Sequence, residues 1–199
     1  MRKAVNFLLA GVGGQGTILA SDVLAQVALA AGFDVKKSEV HGMAQRGGSV
    51  NTHVRWDSDR VYSPLIGMGE ADILLAFEEA EALRYAAYLR PGGEAIVNQQ
   101  VIEPITVTSG GAGYPAEPQV VAVYAALTDH LYMVPGLPIA KELGNARVAN
   151  VVLLGALSTR LEVPAATWLS VIEERVPPKY VELNRQAFQR GRDAIENGR

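Results

Sequence analysis

Gly11-Val12-Gly13-Gly14-Gln15-Gly16 stands directly behind a short apolar run, Ala4 to Ala10, which only Asn6 interrupts. Such a run is expected of a parallel strand covered on both faces. Beyond the glycines, Ile18, Leu19, Val23, Leu24, Val27 and Ala28 recur at helical spacing over Thr17 to Ala31. Gly32 then offers the residue for which a left-handed helix end is cheapest. Asp34 to Val40 reads as a second strand, which completes a βαβ unit of ordinary length.

The same alternation continues downstream. Val50, Thr52, Val54 and Trp56 fall on one side of a run that reads as a half-buried strand, and Arg60 to Ser63 is expected to pair with it across Asp57-Ser58-Asp59. Ala71 to Phe77 reads as a buried strand and Glu78 to Leu89 as a helix closed by Arg90-Pro91-Gly92-Gly93. Glu94 to Asn98 is the next strand. Strands alternating with helices predict an α/β fold, a doubly wound, mostly parallel Rossmann-like sheet with helices on both faces. The stretch from Val101 to Pro118 is the least regular, with a short strand expected at Ile105 to Thr108. Val120 to Asp129 has the length of a helix, and His130 to Val134 that of a strand. The C-terminal third is helical. Arg147 to Leu161 is apolar nearly all round, as in a core helix. Pro164 to Arg175 and Lys179 to Asn197 are amphipathic, the second polar enough to lie outside. No internal repeat or low-complexity linker interrupts the chain. Residues 1–199 therefore read as one domain, with the helices from about position 138 packed on it.

Composition narrows the function. The chain is 49% hydrophobic and 20% charged, enough to bury a sizeable core. Lys and Arg number 18 against 21 for Asp and Glu, so there is no electrostatic footprint for a nucleic acid. No apolar run reaches the roughly 18 residues of a membrane span. The apolar stretch behind Met1-Arg2-Lys3 stops at the glycines and lacks a small-residue cleavage site. It reads as a buried strand rather than a signal peptide, and the expected location is the cytoplasm. The chain has no cysteine. Disulfides, zinc-thiolate sites, thiol nucleophiles and iron–sulfur clusters held by its own thiolates are all excluded.

Two loops carry candidate chemistry. In the glycine turn, Gly11 permits the tight bend, Gly13 lets backbone approach a pyrophosphate, and Gly16 lets helix and strand pack closely. The helix N-terminus then points at the anion, with Gly14 and Gln15 in the same turn. Glu39 lies near the place where a dinucleotide site wants an acid for ribose hydroxyls. Glycines that merely allow close packing would look the same, and both readings stay open. The second loop, His41-Gly42-Met43-Ala44-Gln45-Arg46-Gly47-Gly48-Ser49, should leave the carboxyl end of the second strand, the edge where open α/β sheets bind ligands. Arg46 offers a fork of donors for carboxylate or phosphate, and His41 can exchange a proton near neutral pH. Gly42, Gly47 and Gly48 allow close approach, while Gln45 and Ser49 add polar contacts. His53 and His130 read as structural. No second residue can be placed within reach of His41, so no catalytic residue and no metal ligand are assigned.

Gly11 to Gly16, Glu39 to Ser49, Leu143-Gly-Asn-Ala-Arg-Val-Ala-Asn-Val-Val-Leu-Leu-Gly155 and Lys179-Tyr-Val-Glu-Leu-Asn-Arg-Gln-Ala-Phe-Gln-Arg-Gly191 together resemble the gamma-type module of the thiamine-diphosphate-dependent 2-oxoacid:ferredoxin oxidoreductases. The resemblance spans nearly the whole chain. Its size and the Val97-Asn98 and Tyr114-Pro115 passages are most similar to the indolepyruvate type. The resemblance implies a subunit, inactive alone, of an enzyme that oxidatively decarboxylates an aryl 2-oxoacid to an acyl-coenzyme A while reducing ferredoxin. It further implies a larger partner subunit holding the thiamine diphosphate and iron–sulfur clusters, coenzyme A as cosubstrate, and no cofactor held tightly by this chain. Gly11 to Gly16 and His41 to Ser49 would face the partner's active-site region, with self-association as a homodimer left open for the chain alone. Two alternatives remain: a stand-alone NAD(P)-binding reductase, and a nonenzymatic Rossmann-like binding module. The dinucleotide reading leaves Gly42 to Ser49 unexplained. Replacement of Arg46 by Ala is expected to lower association or activity. Thermal unfolding should show stability within about 1 kcal/mol of the parent, the usual range for an exposed loop change.

Overall fold

Ala4–Val12 (β1) is buried on both sides, with Phe7 and Leu9 on one face of the sheet and Leu8 on the other. That two-sided burial is what its nearly continuous apolar run required. The computed structural model describes residues 4–41, 48–111, 113–115 and 117–196. In chain order the elements after β1 are Thr17–Ala30 (α1), Asp34–His41 (β2), Ser49–Asp57 (β3), Ala71–Ala76 (β4), Glu79–Tyr85 (α2) and Leu89–Asn98 (β5). They continue as Ile105–Thr108 (α3), Glu117–Ala125 (α4), Leu131–Val134 (β6), Gly136–Glu142 (α5), Ala149–Ser158 (α6), Ala165–Arg175 (α7) and Val181–Glu196 (α8). None of these helices is long and apolar enough to cross a membrane.

The six strands form one mixed sheet in the order β2-β3-β1-β4-β5-β6. β1, β4, β5 and β6 pair in parallel, while β3 runs antiparallel to both β1 and β2. The α/β architecture expected from the sequence is present, with one difference in connectivity. β1 and β2 are parallel but not neighbours, because β3 lies between them. On one face, Phe7, Leu9, Ile73, Leu75 and Ile96 pack against α1, α6, α7 and α8. On the other, Leu8, Leu74, Ala76, Ala95 and Val97 pack against α2 and α4. The crossovers after β1 and β4 therefore leave toward opposite faces and open a crevice between the two strand ends, where open α/β sheets bind ligands.

Four local expectations need correction. Ile105–Thr108 is a short helix, not a strand: the Val107 and Thr108 amides both reach back to the Pro104 carbonyl. Arg60 to Ser63 does not extend the sheet. The connection instead lies across β3, where Arg55 Nη1 donates to the Ser63 and Leu65 carbonyls and the Ile66 amide donates to His53 Nδ1 at 3.1 Å. For that reason β3 is buried on both faces rather than half-buried. The polar helix α8 also reaches the core through one stripe, Ala187, Phe188, Gly191 and Ile195. It lies against α6 so closely that a Cβ on Gly191 would sit 1.9 Å from the Val152 carbonyl oxygen, and one on Gly155 2.0 Å from that of Phe188. Both obstacles are backbone and cannot rotate away. Gly155→Ala is expected to destabilise the chain by about 3 kcal/mol or more, the upper end for overpacking, measurable as a lowered urea midpoint.

Candidate functional site

The chain leaves the buried end of β1 at Val12, and α1 starts at Thr17, so the glycine turn sits at the carboxyl edge of the parallel strands. Gly16 caps α1 with φ near 78°, and no side chain caps the helix. Gln15 folds back over the sheet. Its Oε1 accepts from the Val12 amide at 2.7 Å, and its Nε2 donates to the Phe77 carbonyl at 2.8 Å and to Gln100 Oε1 at 3.3 Å. Asn98, at the end of β5, extends the network. Its Nδ2 donates to Phe77 O and to Gln100 Oε1, and its Oδ1 accepts from the Gly136 amide at 3.0 Å. A cleft of roughly 670 Å³ opens above these amides, with Gly13 to Gly16 on one side and Arg147 and Asn150, at the start of α6, on the other. Asn150 stands against the glycine turn, its Nδ2 3.4 Å from the Gly16 carbonyl oxygen.

The two loops singled out in the sequence meet at this edge. The register pairs Val12 with Ser49, and the Gly13 amide donates to the Gly48 carbonyl at 2.8 Å. Backbone pairing continues to His41 opposite Val50, which brings both ends of the second loop to the same edge. Gly42, Gln45, Arg46 and Gly47 lie outside the described residues, as does the side chain of His41. Ser49 proves to be an anchor. Its Oγ donates to Glu81 Oε2 and lies 3.0 Å from Tyr85 OH, to which Asn51 Nδ2 also donates. Glu81 is buried on α2 and also accepts from Arg84 Nε at 3.0 Å. Among the described residues no group of three His, Asp or Glu side chains is placed to hold a metal ion.

Glu39, read as a potential ribose ligand, is instead held by Lys37 Nζ at 2.6 Å. It also sits on β2, a full strand beyond the position beside β1 that the dinucleotide arrangement uses. His53 is structural, as expected. Burial pushes its pKa down, and its Nδ1 accepts a backbone hydrogen bond, which fixes the proton on the other nitrogen. His130 is exposed on the approach to β6, where its amide donates to Thr128 Oγ1 at 3.0 Å and its carbonyl accepts from the Ala95 amide at 2.9 Å. Sequence reasoning missed Asn98, Gln100, Arg147 and Asn150. The first two were legible as polar residues ending a buried strand at the ligand-binding edge. The other two are three apart in a largely apolar helical segment and so share a face.

A row of carboxylates lies behind this edge. Glu78 accepts from the Glu81 and Ile102 amides and from the Tyr114 hydroxyl, whose pKa is pushed far up, first by burial and then by that bond. Glu79 is buried, and its pKa is raised mainly by that burial, with Glu117 and Glu78 adding to it. A carboxyl whose folded pKa exceeds its unfolded value opposes folding once pH rises past that value. Glu79→Gln is therefore expected to be more stable than the parent at neutral pH. The gain should disappear as pH falls below about 4.5, checked by denaturant unfolding across that range.

Residues 6–194 match the family model described as pyruvate ferredoxin/flavodoxin oxidoreductase. The chain is 40% identical over 192 residues to the indolepyruvate oxidoreductase subunit IorB of Thermococcus kodakarensis, covering 95% of each chain. Its fold superposes on the gamma subunit of a keto/oxoacid ferredoxin oxidoreductase from Geobacter sulfurreducens with a TM-score of 0.70 at 27% identity, covering 97% of this chain and 99% of that one. It also superposes with a TM-score of 0.77, at 23% identity, on the 2-oxoglutarate:ferredoxin oxidoreductase of Magnetococcus marinus, covering 99% of this chain and 32% of that longer chain.

Proposed function

The chain belongs to the pyruvate ferredoxin/flavodoxin oxidoreductase family, and from that membership we propose that it is the small subunit of a 2-oxoacid:ferredoxin oxidoreductase of the indolepyruvate type. In this reading the enzyme oxidatively decarboxylates an aryl 2-oxoacid to its acyl-coenzyme A and passes the electrons to ferredoxin. The chain works in the cytoplasm as one domain, and it is inactive without a larger partner subunit.

One observation carries the division of labour. The edge where the two sequence loops meet is built from backbone amides, side-chain amides and small residues. Its described residues offer shape and hydrogen bonds. The residues present do not fit the redox groups of such an enzyme. No thiolate exists to hold an iron–sulfur cluster. In this reading thiamine diphosphate and the clusters belong to the partner. What this chain adds is a preformed wall at the mouth of the partner's active site, which excludes water and fixes the path of substrates. The turn Gly13 to Gly16, at the uncapped start of α1, suits the anionic groups of coenzyme A. The loop from His41 to Ser49, with Gly42, Gln45, Arg46, Gly47 and Gly48, leaves the same edge and is assigned to the same partner-facing surface.

Reconstitution tests this reading. The chain co-expressed with a thiamine- and cluster-bearing larger subunit should co-purify and reduce ferredoxin with indolepyruvate and coenzyme A, while either chain alone should not. A chain that stays monomeric and leaves the partner's activity unchanged would overturn it.

A further inference from the structure

The cleft beside the glycine turn continues over the first turn of α1 into a second depression of roughly 300 Å³, and Leu19, Arg147 and Asn150 line both. The second depression lies between α1, α6 and α7, and its lining includes Val23, Val151 and Ile172. Leu19 stands at the junction with 66% of its surface exposed, although it follows a helix start tied into the core. Arg147 marks the end nearer the cleft and Arg175 the far end. Among the described residues these two are the only arginines whose guanidinium has no hydrogen-bond, ion-pair or ring partner. Both border the same groove.

We propose that this groove docks the larger subunit, and that it receives an apolar segment of that subunit bearing two carboxylates. The segment's apolar side chains would lie over Leu19, Val23 and Val151, with one carboxylate at Arg147 and the other at Arg175. The proposal rests on the subunit reading above and specifies the surface through which it operates. Two features select this occupant. The floor is apolar while the ends are cationic, a pattern complementary to an acidic amphipathic segment. The groove is continuous with the cleft assigned to the partner's active site. Another exposed apolar patch, Tyr62, Leu65 and Met68, follows β3 at the opposite end of the sheet, and its arginine, Arg60, already lies over the Tyr62 ring. It lacks the cationic ends.

The test uses the two full-length subunits and measures their dissociation constant, with thermal unfolding of the small subunit alone as the control for folding. Leu19→Asp and, separately, Arg147→Glu combined with Arg175→Glu should each weaken association at least tenfold without lowering the melting temperature of the free chain. Arg147→Gln with Arg175→Gln should flatten the salt dependence of binding, because two screened charge pairs are lost. Met68→Asp, at the opposite end, should bind like the parent. Parent-like affinity in all the groove variants, beside a parent that binds, would overturn the groove assignment and leave the subunit reading intact. Loss of self-association in those variants with undiminished partner affinity would also overturn it, and would give the groove to a second copy of this chain. A parent that does not bind the larger subunit would defeat the subunit reading itself, and the groove assignment with it.

Discussion

At the carboxyl edge of the sheet, the side-chain amide of Gln15 takes over where the ladder stops. β1 and β4 run side by side until their chains depart for opposite faces, one into α1 and the other into α2. The Val12 amide and the Phe77 carbonyl are left there without a strand to pair with. Gln15 meets both, and Asn98 and Gln100 carry the same set of bonds across to β5 and the start of α5. A buried amide or carbonyl without a partner costs about 1–3 kcal/mol, so this chain of side-chain amides lets the edge stay tight where strands diverge. The cleft above it is consequently preformed. An edge held in one arrangement is what a subunit must offer if its task is to shape another subunit's active site, since less ordering entropy is spent on docking.

The far wall of that cleft depends on a contact well away from it. Asn150 reaches Gly16 from the first turn of α6, and the position of α6 is set by its backbone-to-backbone approach to α8 at Gly155 and Gly191. The tail, whose charged surface suggested a helix lying outside, thus fixes where a cleft residue stands. A methyl group at either glycine would push the helices apart and move Asn150 relative to the glycine turn. Rigid packing carries such a displacement because interiors are close-packed and have little slack.

Much of the fold was legible because its strands announce themselves. Ala4 to Ala10 and Ala71 to Phe77 are short apolar runs, each with a single polar residue (Asn6 and Asp72), as a doubly covered sheet interior requires. Connectivity was less legible. Nothing in the local pattern of Asp34 to Val40 says that its neighbour is β3 rather than β1, because the choice is made by long-range pairing and not by propensity. Thr52, buried completely, and His53, nearly so, illustrate the same limit: alternation in β3 correctly indicated a strand, but the loop that covers its second face lies eight or more residues downstream. At the site, the glycine turn and the second loop were both marked by composition, and so was the edge they share. Asn150 and Arg147 were hidden, since a polar pair in a mostly apolar helix has no meaning until the helix is placed against the sheet. Ser49 was marked, but its partners Glu81 and Tyr85 were not legible, because they come from a helix more than thirty residues away.

The same geometry accounts for most of the glycine hexapeptide without a ligand. A Cβ at Gly16 would lie 2.3 Å from Asn150 Nδ2, and one at Gly11 2.7 Å from Thr17 Oγ1 and 3.0 Å from Phe77 Cβ. Gly14 has open space around it but a φ of 103°, which a residue with a Cβ rarely adopts. Packing and backbone conformation therefore account for three of the four glycines before any ligand is considered. A dinucleotide would also need the second parallel strand beside the first, with its terminal acid free. Here β3 occupies that place, and Glu39 is committed to Lys37. What survives of the fingerprint is its general physics, an uncapped helix start at an open sheet edge. That physics serves an anion presented by another subunit as readily as one bound by the chain itself.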